Sequence, residues 1–182
     1  MPRVVVVGSS RAGKSTFSRS PGERLGVPVI SLDEHYWRPG WQRPPQQRWR
    51  REQAELLDEH PSWIADGNCW STLDVRLERA DAVVFLDVPR LRCLPQALWR
   101  GLRHRGRALQ APGCPERWSW SFFGHIWSYP AQHRPRLLAA IADHASHARV
   151  VVLRHRYEMR EFLDAARGPI GSDVVRWPGR AW

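Results

Sequence analysis

The sequence predicts an α/β fold, a doubly wound parallel sheet of five strands flanked by helices, and two observations predict it. Five short apolar runs alternate with helical segments along the 182 residues, which is the pattern of parallel strands joined by helical crossovers. The first run ends in a glycine-rich loop that can open a helix, and strand, loop and helix in this order are typical of phosphate-binding folds. In such sheets, ligands bind at the carboxyl ends of the strands.

The individual elements follow from apolar runs, apolar helix faces and prolines. Buried strands are expected at 4–7, 27–32, 63–65, 82–86 and 150–153. Three helices are indicated by apolar groups that share a face, namely Trp49, Leu56 and Leu57; Leu94, Leu98 and Leu102; and Leu137, Leu138 and Ile141. Pro44 and Pro45 open the first of these helices. Because proline removes a helical hydrogen bond, we expect Pro21 to end or kink the first helix near Ser20. We expect Pro95 to delay or bend the helix after the fourth strand.

Length and composition favour one domain spanning 1–182, with a tail rich in proline and glycine at about 168–182. No apolar stretch is long enough for a signal peptide or a membrane span, so we expect a cytoplasmic protein without a membrane partner, either a monomer or a homodimer. Cys69, Cys93 and Cys114 lack the spacing of a disulfide framework or a zinc site, and we expect reduced thiols.

The formal net charge of +10 comes from 27 arginines and a single lysine. Such a charge suits nucleic acid, a membrane surface or an anionic small substrate, and charge alone does not choose among them. The near-complete use of arginine in place of lysine indicates a biased coding composition more than a binding strategy. Nucleic acid is therefore a possible partner but not the favoured one.

The single lysine lies in a complete GxxxxGK[ST] phosphate-binding loop, the Walker A motif. Its nucleotide-binding residues are Gly8, Ser9, Ser10, Arg11, Ala12, Gly13, Lys14, Ser15 and Thr16. The two glycines permit backbone angles that turn successive N–H groups toward a phosphate at a helix N-terminus. The compact ammonium of Lys14 suits the space between the β- and γ-phosphates of a nucleotide, and the Ser15 hydroxyl is placed to bind Mg²⁺. The loop predicts ATP and Mg²⁺ as ligands.

Carboxylates follow the next three strands, at Asp33, Asp66 and Asp87. Phosphoryl transfer needs one carboxylate to hold Mg²⁺ and another to orient or deprotonate the attacking hydroxyl. We assign Asp66 to the metal and Asp33 to the acceptor. Asp87 precedes a Val-Pro-Arg turn, where a strand-end cap is the more common role.

Several segments outside the loop extend this interpretation, at 32–41, 63–68, 80–90, 113–116 and 126–127. With the loop, they resemble the adenylate-kinase-like P-loop proteins known as topology modulation, or FlaR-type, proteins. The resemblance covers the chain from residue 3 to about residue 163. It implies the nucleoside-monophosphate-kinase fold with sheet order 2-3-1-4-5 and a kinase-type activity, but no particular substrate.

The wider adenylate kinase group has an arginine-rich lid after the fourth strand, which the resemblance places at about 100–134. Arg100, Arg103, Arg105 and Arg107 occupy the matching stretch, and Arg134 resembles the later lid arginine. From this resemblance we expect Arg103, Arg105 and Arg134 to neutralise the charge of the transferring phosphoryl group. The lid also contains an aromatic group for which core packing is favoured over base stacking, consisting of Trp118, Trp120, Phe122, Phe123 and Trp127.

The acceptor site is expected near Asp33, because related kinases bind their acceptor in the corresponding pocket. The candidate acceptor-binding residues are Asp33, Tyr36, Trp37, Arg38, Asn68 and Arg76. Aromatic rings suit a flat base or an apolar acceptor. Arg38 and Arg43 could clamp an acceptor phosphate, whereas a kinase that acts on a neutral alcohol would leave both as surface charges.

These observations predict an ATP- and Mg²⁺-dependent small-molecule kinase that acts on a nucleotide or a nucleoside. A kinase of another small metabolite, resembling shikimate or gluconate kinases, is the alternative within enzymes. A nucleotide-dependent regulatory protein that binds nucleic acid through its arginines is the alternative outside them.

Overall fold

The computed structural model describes residues 2–108, 110–115 and 119–165. Its sheet has five parallel strands in the order β2-β3-β1-β4-β5. The strands are β1 (Arg3–Gly8), β2 (Val29–Ser31), β3 (Trp63–Asp66), β4 (Ala82–Leu86) and β5 (Arg149–Leu153). The predicted fold class and sheet order are confirmed. The predicted tail at 168–182 and Trp118 lie outside the described residues.

Helices connect the strands and cover both faces of the sheet. They are α1 (Lys14–Leu25), α2 (Leu32–Tyr36), α3 (Gln46–Asp58), α4 (Leu73–Leu77), α5 (Arg90–Arg103), α6 (Trp120–Gln132), α7 (Arg134–His144) and α8 (Arg156–Ala165). Short 3-10 turns lie at Pro39–Trp41 and Trp70–Thr72. The helices predicted from apolar faces are α3, α5 and α7.

The two faces of the sheet carry separate cores because successive side chains of a strand point to opposite sides. Val5 and Val7 of β1 face a core that includes Trp49 of α3 and Leu137 of α7. Val4 and Val6 face the other core, which contains residues of α1, α5, α6 and α8. Both cores therefore hold the carboxyl ends of the strands in fixed positions.

Neither proline ends its helix, and the late start predicted for the helix that contains Pro95 does not occur. Pro21 lies inside a continuous α1, and Pro95 lies inside α5, which begins promptly at Arg90. Helix α1 continues beyond Pro21 because it packs tightly on the sheet: a Cβ added at Gly22 would lie 2.2 Å from a methyl carbon of Val29. Burial of this helix face outweighs the loss of one backbone hydrogen bond.

Strand β2 is shorter than predicted, since it ends at Ser31 and α2 begins at Leu32. Leu32 is fully buried and fixes this turn, so Asp33 lies in the first turn of a short helix instead of following directly on a strand.

The aromatic group of the predicted lid packs against the core only in part. Trp120 is 78% exposed and Trp127 is 53% exposed, so the prediction of core packing is wrong for both. Phe122 and Phe123 are partly buried against the second core.

Among the described residues, no helix combines the length and apolar character that crossing a bilayer requires.

Candidate phosphate and acceptor site

The glycine-rich loop between β1 and α1 has the backbone that phosphate binding requires. Gly8 has φ 150°, and a Cβ there would lie 2.4 Å from the Leu86 carbonyl oxygen of β4. Gly13 has φ 94° and caps α1, which begins at Lys14. The free amides of the first helical turn therefore lie beside the loop, where an anion is stabilised.

Lys14 closes this loop through its ammonium group. Its Nζ donates to the carbonyl oxygens of Gly8 at 3.2 Å and Ser9 at 3.0 Å. Burial lowers the pKa of Lys14, and the carboxylates of Asp33 and Asp66 partly oppose that shift. The Lys14 side chain is thus poised between the phosphate loop and the two carboxylates.

Asp66 ends β3 as a buried carboxylate, only 2% exposed. Burial raises its pKa, while a hydrogen bond from the Ser15 side chain and the charge of Lys14 act in the opposite direction. Its Oδ2 has no hydrogen-bond partner among the described residues. A buried carboxylate oxygen that lacks a partner, beside a serine hydroxyl, is the donor set that Mg²⁺ uses next to a nucleotide.

Asp33 lies in the first turn of α2, across the cleft from Lys14. Gln110 donates from Nε2 to Asp33 Oδ2 at 3.3 Å, and the Cys69 thiol lies 3.8 Å from Oδ1. The short loop after β3 approaches closely, since a Cβ at Gly67 would lie 3.3 Å from Asp33 Oδ1. The fold therefore brings Lys14, Asp33 and Asp66 together.

Asp87, after β4, is held by two arginines. Arg134, the first residue of α7, contacts its carboxylate through Nε at 3.0 and 3.1 Å and through Nη2 at 3.0 Å. Arg154 Nε lies 3.5 Å from Asp87 Oδ2. Arg134, a predicted lid arginine, is thus fixed at the end of β4 by a bidentate ion pair.

The other predicted lid arginines follow the end of α5. Arg103 is in the last turn of this helix, with Cζ 5.5 Å from the Trp99 ring centroid. Arg105 lies in the exposed turn that follows. The phosphate loop itself contacts the lid region through another arginine: Arg11 Cζ lies 5.2 Å from the ring centroid of Phe122 in α6.

The predicted aromatic acceptor residues form a connected array. Trp37 makes edge-to-face contacts with Tyr36 and Trp41, at centroid separations of 5.0 and 5.3 Å. Arg38 lies next to these rings but pairs with Glu52 of α3 at 2.7 Å. Asn68 lies in the loop after β3, between Gly67 and Cys69.

Arg76 of α4 is fully buried and holds the loop after β3 in place. Its guanidinium donates to the carbonyl oxygens of Gly67 at 3.1 Å, Cys69 at 3.3 Å and Thr72 at 3.5 Å. Burial lowers the pKa of Arg76. The loop that approaches Asp33 therefore depends on a buried cation for its shape.

Replacing Arg76 with alanine should destabilise the fold by about 3–5 kcal/mol, because the change leaves buried carbonyls without donors and opens a cavity. Urea denaturation of Arg76→Ala measures the loss. Arg79→Ala is the matched control, since Arg79 pairs with the exposed Asp58, and its loss should cost about 1 kcal/mol or less. Equal small losses in both variants would contradict a structural role for Arg76.

Sequence reasoning did not identify Gln110 as a site residue. Gln110 lies in a segment without helical or strand periodicity, and a lone glutamine matches no motif. The nearest sequence signal is the glycine at 113, since glycine is common in tight turns; the structure places such a turn there, with φ 71°, against Pro39.

Comparisons with known proteins find matches only among solved structures. No family model and no curated protein matches the chain, so the resemblance to FlaR-type proteins stays a prediction. Shikimate kinase from Acinetobacter baumannii, in complex with shikimate, is 15% identical, with a TM-score of 0.56 over 90% of this chain and 89% of that one. Deoxyadenosine kinase from M. mycoides is 12% identical, with a TM-score of 0.54 over 88% and 94%.

A sugar kinase from Janibacter is also similar, at 20% identity and a TM-score of 0.50 over 90% of each chain. At these identities the likeness is one of fold and does not extend to substrate. The protein has the nucleoside-monophosphate-kinase-like α/β fold, with a phosphate loop at the end of its central strand.

Proposed function

We propose that the protein is an ATP- and Mg²⁺-dependent phosphotransferase that phosphorylates a small molecule. The observation that carries the proposal is the convergence of Lys14, Asp66 and Asp33 at one edge of the sheet. Phosphoryl transfer from a nucleotide to a hydroxyl requires three such groups: an ammonium, a carboxylate beside a serine hydroxyl, and a second carboxylate.

The loop at 8–16 would bind the phosphates of ATP through its backbone amides and Lys14. Lys14 would exchange its bonds to the Gly8 and Ser9 carbonyls for bonds to phosphate oxygens. The Mg²⁺ ion fits the Ser15 hydroxyl and the Asp66 carboxylate, whose Oδ2 lacks a partner within the described chain. When bound, Mg²⁺ neutralises phosphate charge.

Asp33 would receive the acceptor. Its carboxylate would accept the proton that the acceptor hydroxyl loses as the hydroxyl oxygen bonds to the γ-phosphorus. The bond from that phosphorus to the bridging oxygen of ADP breaks in the same step, so ADP leaves. Gln110 and the loop after β3 hold the Asp33 carboxylate in one orientation.

For the acceptor, we propose a nucleotide or a nucleoside. The aromatic array of Tyr36, Trp37 and Trp41 supports this choice, since flat rings suit a base. A metabolite acceptor of the kind used by shikimate or gluconate kinases is the second candidate. It is supported by the folds with which this chain aligns, which include a shikimate kinase and a sugar kinase.

Acceptor-dependent ADP formation tests the proposal. Purified protein with MgATP should release ADP faster when one class of acceptor is added, and Lys14→Ala should abolish the increase. A protein that binds no MgATP, or whose ADP release is independent of Lys14, would contradict the assignment as a phosphotransferase.

The lid arginines distinguish this function from nucleic-acid binding. Arg103→Ala or Arg105→Ala should lower turnover about 100-fold, because each would remove a cation that lid closure brings to the transferring phosphoryl group, while the affinity for duplex DNA changes little. Arg51→Ala is the control, since Arg51 is exposed on α3. If instead DNA binding weakened and its salt slope became shallower by about one unit per lost contact, the arginines would serve nucleic acid.

A further inference from the structure

A loop from the lid region is docked on the acceptor side of the cleft. The amide N of Gly40 donates to the Gly113 carbonyl oxygen at 2.9 Å. The indole N–H of Trp41 donates to the Pro115 carbonyl oxygen at 3.0 Å, and the Cys114 thiol donates to the Arg38 carbonyl oxygen at 3.1 Å. Three polar contacts thus fasten residues 110–115, the docked loop, to residues 38–41.

The docked loop is shaped for this contact. Gly113 has φ 71°, and a Cβ there would lie 2.8 Å from Cβ of Pro39. Only glycine fits both the backbone angle and the space. Cys114 is fully buried, so the loop seals against the segment after α2 and forms an outer wall beside Asp33.

From this wall Gln110 reaches Asp33. The bond from its Nε2 to Asp33 Oδ2, at 3.3 Å, joins an amide to a carboxylate. Together these two side chains offer one N–H donor and several acceptor oxygens. Such a pair recognises hydroxyl groups, which both donate and accept hydrogen bonds, and it repels a phosphate dianion.

Two arginines near the acceptor side, Arg38 and Arg76, are committed to protein groups. Arg38 pairs with Glu52 at 2.7 Å, and Arg76 is buried against three backbone carbonyls. Arg43 is exposed, with its Cζ 5.6 Å from the ring centroid of Trp37. An acceptor phosphate would have to compete with the protein for the first two cations.

We infer that the acceptor is a neutral polyhydroxylated compound, such as a nucleoside or a sugar alcohol, and not a monophosphate. Asp33 and Gln110 bind its hydroxyl groups. Gln110 is a specificity-determining residue that also positions Asp33. This inference rests on the proposed function, because it concerns the acceptor of the same reaction.

A paired acceptor panel tests the inference. Nucleosides, sugars and polyols are each compared with their monophosphates, with MgATP as donor and phosphorus NMR to identify the product. We expect new phosphomonoesters from neutral compounds only. Diphosphate or bisphosphate products from monophosphates, or no turnover with any neutral compound by a protein that binds MgATP, would overturn the inference.

Variants at Gln110 separate its role from a general effect on the fold. Gln110→Ala should raise the KM for the neutral acceptor about 10-fold, because it removes one hydrogen bond to the acceptor and also the amide that positions Asp33, with the KM for MgATP unchanged. Gln110→Glu should raise the KM for the acceptor more than Gln110→Ala does, since it places a second carboxylate against Asp33. Gln47→Ala, at an exposed position on α3, is the matched control. Equal changes in both KM values would contradict the specificity role.

Docking of the loop can be tested without any acceptor. Gly113→Val should undock the loop, because of the contact with Pro39 and the positive φ, and should speed amide hydrogen exchange at Gly40. Unchanged exchange at Gly40 would overturn the placement of the wall. If the parent protein bound no MgATP, in contrast, the proposed function would be refuted but the docking of the loop would not.

Discussion

Lys14→Arg will lower acceptor-dependent turnover by about two orders of magnitude or more, while the fold persists. The structure gives a specific reason for this loss of turnover. The Lys14 ammonium contacts the Gly8 and Ser9 carbonyl oxygens at 3.2 and 3.0 Å, within a loop closed on its other side by Leu86. A planar guanidinium is wider than an ammonium, so it displaces the loop amides from the positions that a phosphate requires.

Steady-state kinetics with MgATP and the best acceptor measure the effect, and circular dichroism with thermal unfolding checks the fold. Arg19→Lys is the control, because it exchanges the same two residue types at an exposed position of the same helix. The control should retain full turnover. A Lys14→Arg protein with near-normal kcat would show that any cation suffices at this position, and the electrostatic role proposed for the ammonium would be wrong.

The predictable part of the site is encoded in short segments. The phosphate loop and Lys14 follow from one eight-residue motif, and Asp66 follows from its place at the end of an apolar run. Parallel pairing of β1 with β3 and β4 then brings these ends together. The sheet order, in contrast, was predicted from the resemblance to adenylate-kinase-like proteins and not from the apolar runs, which indicate only that the strands are parallel and buried.

The remaining part depends on contacts between distant positions. Gln110 and Asp33 are 77 residues apart, and no local pattern indicates that an irregular loop will dock there. Arg76 is a similar case: its charge suggested a ligand contact, but tertiary packing buries it against backbone carbonyls. The prolines show the same limit, because sheet packing overrides a local helix-breaking preference.

Asp66→Asn and Asp33→Asn should fail in different ways. Asp66 is buried beside the Ser15 hydroxyl with one carboxylate oxygen lacking a partner in the described structure, so its amide variant should need about 10-fold or more additional Mg²⁺ for half-maximal ADP release. Asp33 contacts Gln110 on the acceptor side. Its variant should bind MgATP normally and lose acceptor-dependent turnover by about 100-fold or more.

Titrations of Mg²⁺ against intrinsic ATP hydrolysis, and of acceptor at saturating MgATP, separate the two effects. Asp58→Asn is the control, since Asp58 is an exposed partner of Arg79 on the far end of α3, and both titrations should match the parent protein. The distinction rests on geometry: Asp66 accepts a hydrogen bond from Ser15, beside the glycine-rich loop, whereas Asp33 contacts Gln110 of the docked loop. If both variants changed only acceptor affinity and left the Mg²⁺ response intact, Asp66 would belong to the acceptor pocket. The unpartnered carboxylate oxygen would then bind an acceptor hydroxyl instead of a metal.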